Sequence, residues 1–161
     1  IYLVSHPATG LWEMAIRNSV KKRVLHCVNG AFSRKWVQVS KEVGVEYDIL
    51  EYEWGKAIQS SDIKQKLESG KYDAVAFVHN ETSTGVMSDI QDIGATMSKF
   101  PDVCLLVDAV SSMAGIKIPR LKARDGLAVI NGSNMFPLMS NPLNNNSITI
   151  CFVSRIVQCV C

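Results

Sequence analysis

Short, uninterrupted apolar runs alternate along this chain with segments whose apolar residues recur at helical spacing. Continuous apolar runs predict strands at 24–28, 74–79 and 103–107, and an alternating run predicts a further strand at 46–50. Strands that are apolar throughout are typical of sheets covered on both faces. The alternation therefore predicts an α/β fold, with three α/β/α layers and a mainly parallel sheet.

Helices are predicted between these strands, and residues that favour helix starts and stops set their limits. The apolar spacing places them at 34–43, 61–67 and 88–100. The predicted capping and terminating residues are Gly44, Ser61-Asp62, Gly70, Ser88 and Pro101. These assignments predict one βαβ unit after another up to about residue 118.

Length and charge narrow the classes of protein that this chain can represent. Its 161 residues, of which 47% are hydrophobic, are enough for one domain with a core of its own. A net charge of +2 is too small to predict binding to nucleic acid or to an anionic membrane surface. No apolar run approaches the ~20 residues that span a bilayer. A start at Ile1-Tyr-Leu-Val4 without Met predicts a piece of a longer protein.

The five cysteines do not follow the spacing of a disulfide framework. Cys27 and Cys104 lie within predicted strands and are expected to be reduced core residues. Cys151, Cys159 and Cys161 lie near the end of the chain, where no CxxC pair or nearby His supports a metal site. A reducing, cytoplasmic-type compartment is expected, with peroxisome and mitochondrion left open.

The pattern changes after Ile118. Residues 119–124 are basic and weakly patterned, and 131–147 are rich in turn-forming residues and without periodicity. Strands remain possible at 127–130 and 148–153. The sequence thus predicts an α/β domain at 1–118 and an atypical tail at 119–161. Two explanations stay open for the tail: an altered coding sequence, which its loss of local consistency favours, or a relative that binds without catalysing.

Polar residues follow two of the apolar strands, and open α/β sheets bind ligands at the carboxyl ends of their strands. Asp108 ends the run 104–108, and hydroxyl residues follow the strand at 74–79. By itself Asp108 is more often a helix cap or turn acid than a functional group. The functional interpretation is a carboxylate that keeps a heteroaromatic N–H protonated. Two successive polar strand ends predict one shared pocket.

Three further strand-end segments are weaker candidates. The small residues of Pro7-Ala-Thr-Gly10 precede a helix, and free amides at a helix N-terminus bind phosphate. Phe32 follows another strand and either packs in its loop or lies flat on a planar cofactor. His79 and Glu81 resemble an acid–base pair, although a polar strand end with satisfied hydrogen bonds is the more common arrangement.

Taken together, these segments resemble the class V aminotransferases, fold-type I enzymes that use pyridoxal 5′-phosphate. The resemblance extends from Ile1 to about Ile118 and rests on Ser5-His-Pro-Ala-Thr-Gly-Leu-Trp-Glu13, Val28-Asn-Gly-Ala-Phe32, His79-Asn-Glu-Thr-Ser-Thr-Gly-Val86 and Val107-Asp-Ala-Val-Ser-Ser-Met-Ala-Gly115. It implies part of the large domain of these enzymes, which transfer amino groups from small amino acids such as alanine or serine to 2-oxo acids such as glyoxylate. It also implies a homodimer for the complete protein.

The resemblance implies a role for each matching position. Ala8 and Thr9 would contact the cofactor phosphate, and Phe32 would stack on the pyridine ring. Ser83, with Thr84 as a second candidate, would hydrogen-bond near the ring hydroxyl. Asp108 would pair with the pyridinium nitrogen, and Val110 would pack on the other ring face. A carboxylate at that nitrogen keeps the ring able to accept electrons released at the substrate Cα.

One element of the family pattern is missing. The Schiff-base lysine belongs to a Ser-x-Lys-Ala-type turn, and the best candidate here, Gly132-Ser-Asn-Met135, has Met at that position. Lys117 and Lys122 lie outside the motif. The catalytic lysine is therefore unassigned, and this chain as it stands is expected to be inactive. Phosphoserine aminotransferases, cysteine desulfurases and a non-catalytic binding or dimerisation fragment remain as alternatives.

Overall fold

The computed structural model describes residues 7–113, 115, 116, 127–131 and 150–153. Helices and strands alternate along these residues. In chain order the elements are α1 (Ala8–Ser19), β1 (Arg23–Val28), α2 (Ala31–Val43), β2 (Glu46–Glu51), α3 (Ser60–Leu67), β3 (Ala74–Val78), β4 (Asn80–Glu81), β5 (Val86–Met87), α4 (Ile90–Met97), β6 (Cys104–Asp108), β7 (Leu127–Asn131) and β8 (Ile150–Val153).

The main sheet is parallel throughout, with strands in the order β2-β1-β3-β6-β7-β8. Strands β4 and β5 form a separate antiparallel pair directly after β3. The α/β class and the parallel sheet are therefore confirmed. The limits of the four strands predicted before residue 118 shift by one residue at five ends, where the strands begin at Arg23 and Cys104 and end at Glu51, Val78 and Asp108.

The central strands β1, β3 and β6 are mostly apolar because helices cover both faces of the sheet. Helices α1 and α2 pack on one face, where Trp12 and Trp36 meet small strand residues such as Ala74 and Ala76. Helices α3 and α4 pack on the other face, around Phe77. Successive strand residues point to opposite faces, so both sets must be apolar. The three-layer prediction is confirmed.

Two helix starts differ from the predicted ones. Helix α4 is capped by Asp89, whose side chain accepts hydrogen bonds from the amides of Gln91 and Asp92. Ser88 is not the cap, because its hydroxyl instead accepts a hydrogen bond from the Ile58 amide. Helix α3 begins at Ser60, after Gln59, and no side chain caps it; the predicted cap at Ser61-Asp62 was wrong.

The start of helix α2 and the end of helix α4 also differ from the predicted limits. Helix α2 begins at Ala31, three residues before the predicted start at Arg34, and ends as predicted at Gly44, whose φ is +81°. Helix α4 ends at Met97, so Phe100 is not on its face, although it packs against the core beside this helix. Strong apolar spacing thus located the helices but not their ends.

The two segments left open as strands, 127–130 and 148–153, contain strands of the sheet, β7 at Leu127–Asn131 and β8 at Ile150–Val153. The expectations for Ile1–Val4, Lys117, Lys122, Met135, Cys159 and Cys161 lie outside the described residues. No helix within the described part of the chain has both the length and the apolar character that crossing a bilayer requires.

Candidate functional site at the strand ends

The candidate site lies where the strand order reverses. The chain runs from β1 outward to β2 and then returns past β1 to β3, so the carboxyl ends of β1 and β3 flank a topological switch point. Crevices outside such points are the usual ligand sites of open α/β sheets. The segments that follow β1, β3 and β6 are 29–33, 79–85 and 109–112, and they contain most of the candidate residues.

Asp108 ends β6 as a buried carboxylate, with 4% of its surface exposed. The Val110 amide donates a hydrogen bond to Oδ1 at 2.8 Å, so Asp108 also has the contact expected of a turn acid. The Trp12 indole Nε1–H donates to Oδ2, also at 2.8 Å. A carboxylate has about four acceptor positions, so each oxygen keeps the capacity for another donor.

The pKa of Asp108 reflects this partial satisfaction. Burial raises it to about 6, and the negative charge of Glu81 adds to the increase, whereas the hydrogen bonds from Val110 and Trp12 oppose it. Loss of hydration penalises the ionised form more than two donors compensate. A cation or a charged N–H placed here would relieve that penalty.

Glu81 is a second buried carboxylate, and it is saturated with donors. The amide and the hydroxyl of Ser33 both donate to Oε2 at 2.9 Å. The Ser83 hydroxyl donates to Oε1 at 2.6 Å, and the Phe32 amide donates to the same oxygen at 3.3 Å. Burial alone would raise the pKa of Glu81, but hydrogen bonds from Ser83, Ser33 and Phe32 hold it below its usual value.

The Glu81 side chain therefore serves as the N-terminal acceptor of helix α2. Two amides of the first turn of α2 reach Glu81, and the amide of Ala31 donates to the Ser83 hydroxyl at 2.9 Å. An anion at a helix N-terminus also interacts favourably with the helix dipole. Gly30 allows this approach, since a Cβ added there would collide with Glu81 and lie 2.6 Å from Ser83 Oγ.

These contacts bring two of the predicted ligand residues together. The Phe32 amide and the Ser83 hydroxyl both donate to Oε1 of Glu81, and Phe32 is 44% exposed. Ser83 is exposed too, but its hydroxyl proton is donated to Glu81, which leaves oxygen acceptor capacity only. Thr84 is half-buried in the turn between β4 and β5, and its hydroxyl donates to the Glu81 carbonyl at 3.3 Å.

The remaining predicted residues flank Asp108 or begin helix α1. Val110 is half-buried two residues beyond Asp108. Ala8 and Thr9 form the first turn of α1, not a loop before it, and are half-buried. Hydrogen bonding within this turn starts with the Gly10 amide, which donates to the Pro7 carbonyl. The amides of Ala8 and Thr9 precede it and lie at the positive end of the helix dipole.

His79 and Glu81 do not form an acid–base pair. The buried His79 Nδ1 lies 2.8 Å from the Ser112 hydroxyl, and burial lowers the pKa of the ring. Nearby, the Asn80 side chain donates to the Ser111 hydroxyl at 2.9 Å. Satisfied polar strand ends, the more common arrangement, are thus what the structure shows. These contacts fasten the segment after β3 to the turn after β6.

Sequence reasoning missed the importance of two residues, Glu81 and Trp12. A glutamate in a strand-end turn is usually exposed, and the signal for its burial was Gly30, which leaves space at the start of α2. The indole of Trp12 meets Asp108 across 96 positions of the sequence, and no local pattern reveals such a pairing. Among the described residues, no three His, Cys, Asp or Glu side chains are grouped as metal ligands.

Comparison with known proteins identifies the family. Residues 16–123 match the class-V aminotransferase family. The chain is 36% identical over 119 residues to an uncharacterised aminotransferase of Methanocaldococcus jannaschii. This alignment covers 71% of this chain and 30% of the relative. It is 34% identical over 122 residues to the serine–glyoxylate aminotransferase of Methylorubrum extorquens. This alignment covers 72% of this chain and again 30% of the relative. The chain thus spans about 30% of the length of these relatives.

Solved structures agree with this assignment. The alanine–glyoxylate aminotransferase of Nostoc sp. has a TM-score of 0.65 and 31% identity, over 71% of this chain and 31% of its own. The pyridoxamine–pyruvate aminotransferase of Mesorhizobium loti has a TM-score of 0.64 and 27% identity, over 72% of this chain and 30% of its own. The predicted fold is confirmed, and by sequence and by structure this chain belongs to the class V aminotransferase family.

Proposed function

We propose that this chain supplies the cofactor-binding part of an aminotransferase that uses pyridoxal 5′-phosphate. The proposed reaction exchanges the amino group of a small amino acid, alanine or serine, with a 2-oxo acid such as glyoxylate. Relatives named for serine–glyoxylate and aspartate–glyoxylate transfer support this class of substrates. The observation that carries the proposal is Asp108, a buried carboxylate with spare acceptor capacity beside the switch point of the sheet.

Asp108 fits the ring nitrogen of such a cofactor. The carboxylate is costly to ionise with the two donors that reach it from the described residues, and its pKa of about 6 agrees with this. A protonated pyridine nitrogen would add the missing positive partner and stabilise the ionised form. When bound, the protonated ring accepts the electron pair released at the substrate Cα. The role of Asp108 is to hold that proton on the nitrogen.

Helix α1 and Phe32 fit the other parts of the cofactor. The amides of Ala8 and Thr9 lie at the N-terminus of a 12-residue helix, which is suited to a phosphate group. The partly exposed ring of Phe32 offers a flat apolar surface for the pyridine ring, and the side chain of Val110 would contact the opposite ring face.

Ser83 fits the cofactor as a hydrogen-bond acceptor and not as a donor. Its proton is donated to the Glu81 carboxylate, so Ser83 would accept a hydrogen bond from the ring hydroxyl and would not donate one. Thr84 is a second, weaker candidate, since its hydroxyl already reaches the Glu81 carbonyl. The role of Ser83 thus depends on the protonation of the Glu81 carboxylate, whereas Thr84 contacts only the backbone carbonyl of that residue.

Binding of the cofactor by this chain and catalysis of amino-group exchange are two separate proposals. Met135 stands where the family motif has its Schiff-base lysine, so we expect these 161 residues alone to show no alanine–glyoxylate exchange. Homodimer formation by the complete protein is likewise proposed from the family. If cofactor recognition is found without turnover in a longer form of the protein, the non-catalytic alternative is favoured.

Pyridoxine 5′-phosphate is a suitable probe, because it has the ring and phosphate of the cofactor but no aldehyde that reacts with lysines. We expect it to bind the chain in calorimetric titration and Asp108→Asn to weaken binding at least tenfold, the loss expected for one hydrogen bond to a charged group. Asp102→Asn alters an exposed carboxylate outside the site and should leave the affinity unchanged. Equal affinities for wild type and Asp108→Asn would contradict the proposed function.

A further inference from the structure

Trp12 makes a contact that the proposed roles do not use. It lies in helix α1, its side chain is 2% exposed, and its Nε1–H donates to Asp108 Oδ2 at 2.8 Å. A buried indole N–H needs an acceptor, and here the acceptor is the carboxylate at the centre of the candidate site. One helix therefore reaches the site at two places, through its N-terminal amides and through Trp12.

The indole ring of Trp12 is held firmly in place. It stacks on Trp36 of helix α2, with ring centroids 5.4 Å apart and an angle of 16° between planes. The His26 ring meets Trp36 edge-on at 6.0 Å. Because a packed core allows little ring movement, the position of the Nε1–H is fixed relative to the backbone of α1.

Trp12 and the N-terminus of α1 also lie along one line of the helix. Ala8 is four residues before Trp12, and residues with this spacing are neighbours on one face. The pyridine ring of the cofactor is rigid, and its phosphate arm is attached to the carbon meta to the ring nitrogen, so the phosphate and the nitrogen lie at a restricted separation. A site for it must keep its phosphate donors and its carboxylate at a set separation, within tolerances of about 0.5 Å.

We propose that Trp12 is a positioning residue, which ties the Asp108 carboxylate to helix α1 and so fixes its separation from the phosphate-binding amides of that helix. This inference rests on the proposed function, since it concerns the same cofactor. Trp12 bonds to Oδ2 and leaves further acceptor capacity on both oxygens for the ring nitrogen. As a donor to the carboxylate, it also favours the ionised form of Asp108.

The aromatic stack contains a matched control. Trp36 has the same side chain in the same cluster, but its Nε1 is buried with no hydrogen-bond partner among the described residues. Trp12→Phe and Trp36→Phe each keep a ring in the stack and each remove one indole N–H. Only the first of these changes removes a donor from Asp108. Differences between the two variants therefore report on the hydrogen bond and not on packing.

Two measurements on these variants test the proposal. We expect Trp12→Phe to weaken binding of pyridoxine 5′-phosphate about tenfold, and Trp36→Phe to change it less than twofold. We also expect carboxyl ¹³C NMR to show a higher pKa of Asp108 in Trp12→Phe only. Equal effects of the two substitutions on affinity and on this pKa would overturn the proposal.

A third measurement needs no substitution in the stack and covers the case in which Trp12→Phe does not fold. In ¹H–¹⁵N spectra of the unchanged chain, the Trp12 indole resonance should shift with the ionisation of Asp108, while those of Trp36 and Trp54 should not. An indole resonance of Trp12 that is insensitive to Asp108 ionisation would overturn the proposal.

The outcomes separate this inference from the function on which it rests. If Asp108→Asn binds the probe as tightly as the unchanged chain, the proposed function itself fails. If Asp108→Asn loses binding while Trp12→Phe and Trp36→Phe bind alike, the function stands and the role of Trp12 is wrong.

Discussion

Two buried carboxylates at neighbouring strand ends differ in the number of their hydrogen-bond donors and in the direction of their pKa shifts. Glu81, in the segment after β3, accepts hydrogen bonds from Phe32, Ser33 and Ser83, and its pKa is held below the usual value. Asp108, at the end of β6, accepts hydrogen bonds from Val110 and Trp12, and its pKa is raised to about 6.

The difference shows that burial alone does not decide what a carboxylate does. Both side chains have lost their water, but Glu81 has replaced it with protein donors and Asp108 has replaced it only in part. Glu81 is therefore an anchor that joins the turn after β3 to helix α2. Asp108 is a carboxylate whose remaining acceptor capacity is suited to a ligand. The following predictions test this division.

The largest effect on stability is expected from Glu81→Ala. This change leaves the amides of Phe32 and Ser33 without their acceptor and removes the anion from the helix N-terminus, so the free energy of unfolding should fall by about 4 kcal/mol. Urea denaturation measures the loss. Glu68→Ala alters an exposed glutamate at the end of α3 and should cost less than about 0.5 kcal/mol. Similar costs for the two variants would remove the distinction drawn for Glu81.

A smaller and pH-dependent effect is expected from Asp108→Asn. The folded pKa of about 6 lies above the ordinary 3.8, so neutral Asp108 contributes stability below about pH 4, and this contribution is lost as the pH rises through about 6. The wild type should therefore lose up to about 3 kcal/mol relative to Asp108→Asn between these pH values. Urea denaturation at pH 4 and pH 7 measures the difference. Parallel pH profiles for the two proteins would show that Asp108 is not perturbed.

The next effect in size is expected from Gly30→Ala. The new methyl group would collide with the Glu81 side chain, and overpacking of this kind costs about 2 kcal/mol. In a Glu81→Ala background the same change should cost less, because only the Ser83 hydroxyl, 2.6 Å from the new Cβ, still obstructs it. The four unfolding free energies of this double-mutant cycle measure the coupling. Additive effects would contradict the role given to Gly30 in the approach of Glu81.

Much of the fold could be predicted because its signals are local. The continuous apolar runs located β1, β3 and β6, since strands covered on both faces must be apolar at every position. Asp108 was identifiable for a related reason, as the one carboxylate that ends such a run. Gly44 ended helix α2 as predicted, at a φ of +81° that glycine tolerates.

The misjudged features depend on contacts between distant parts of the sequence. Helix α2 begins three residues early because its first amides find their acceptors on Glu81 and Ser83, about 50 positions away. Ser88 does not cap α4 because the Ile58 amide occupies its hydroxyl. A capping residue can be identified from sequence, but the competing partners that the fold brings to it cannot.

The central claim is that Asp108, and not Glu81, is the carboxylate left available for a cationic ligand. Carboxyl ¹³C NMR titration of both side chains, with and without pyridoxine 5′-phosphate, tests it most directly. Binding should lower the pKa of Asp108 from about 6 to below its usual value, because the ring nitrogen then supplies a positive partner, and should leave that of Glu81 unchanged. An Asp108 pKa that the probe does not move, or a shift at Glu81 instead, would contradict the account.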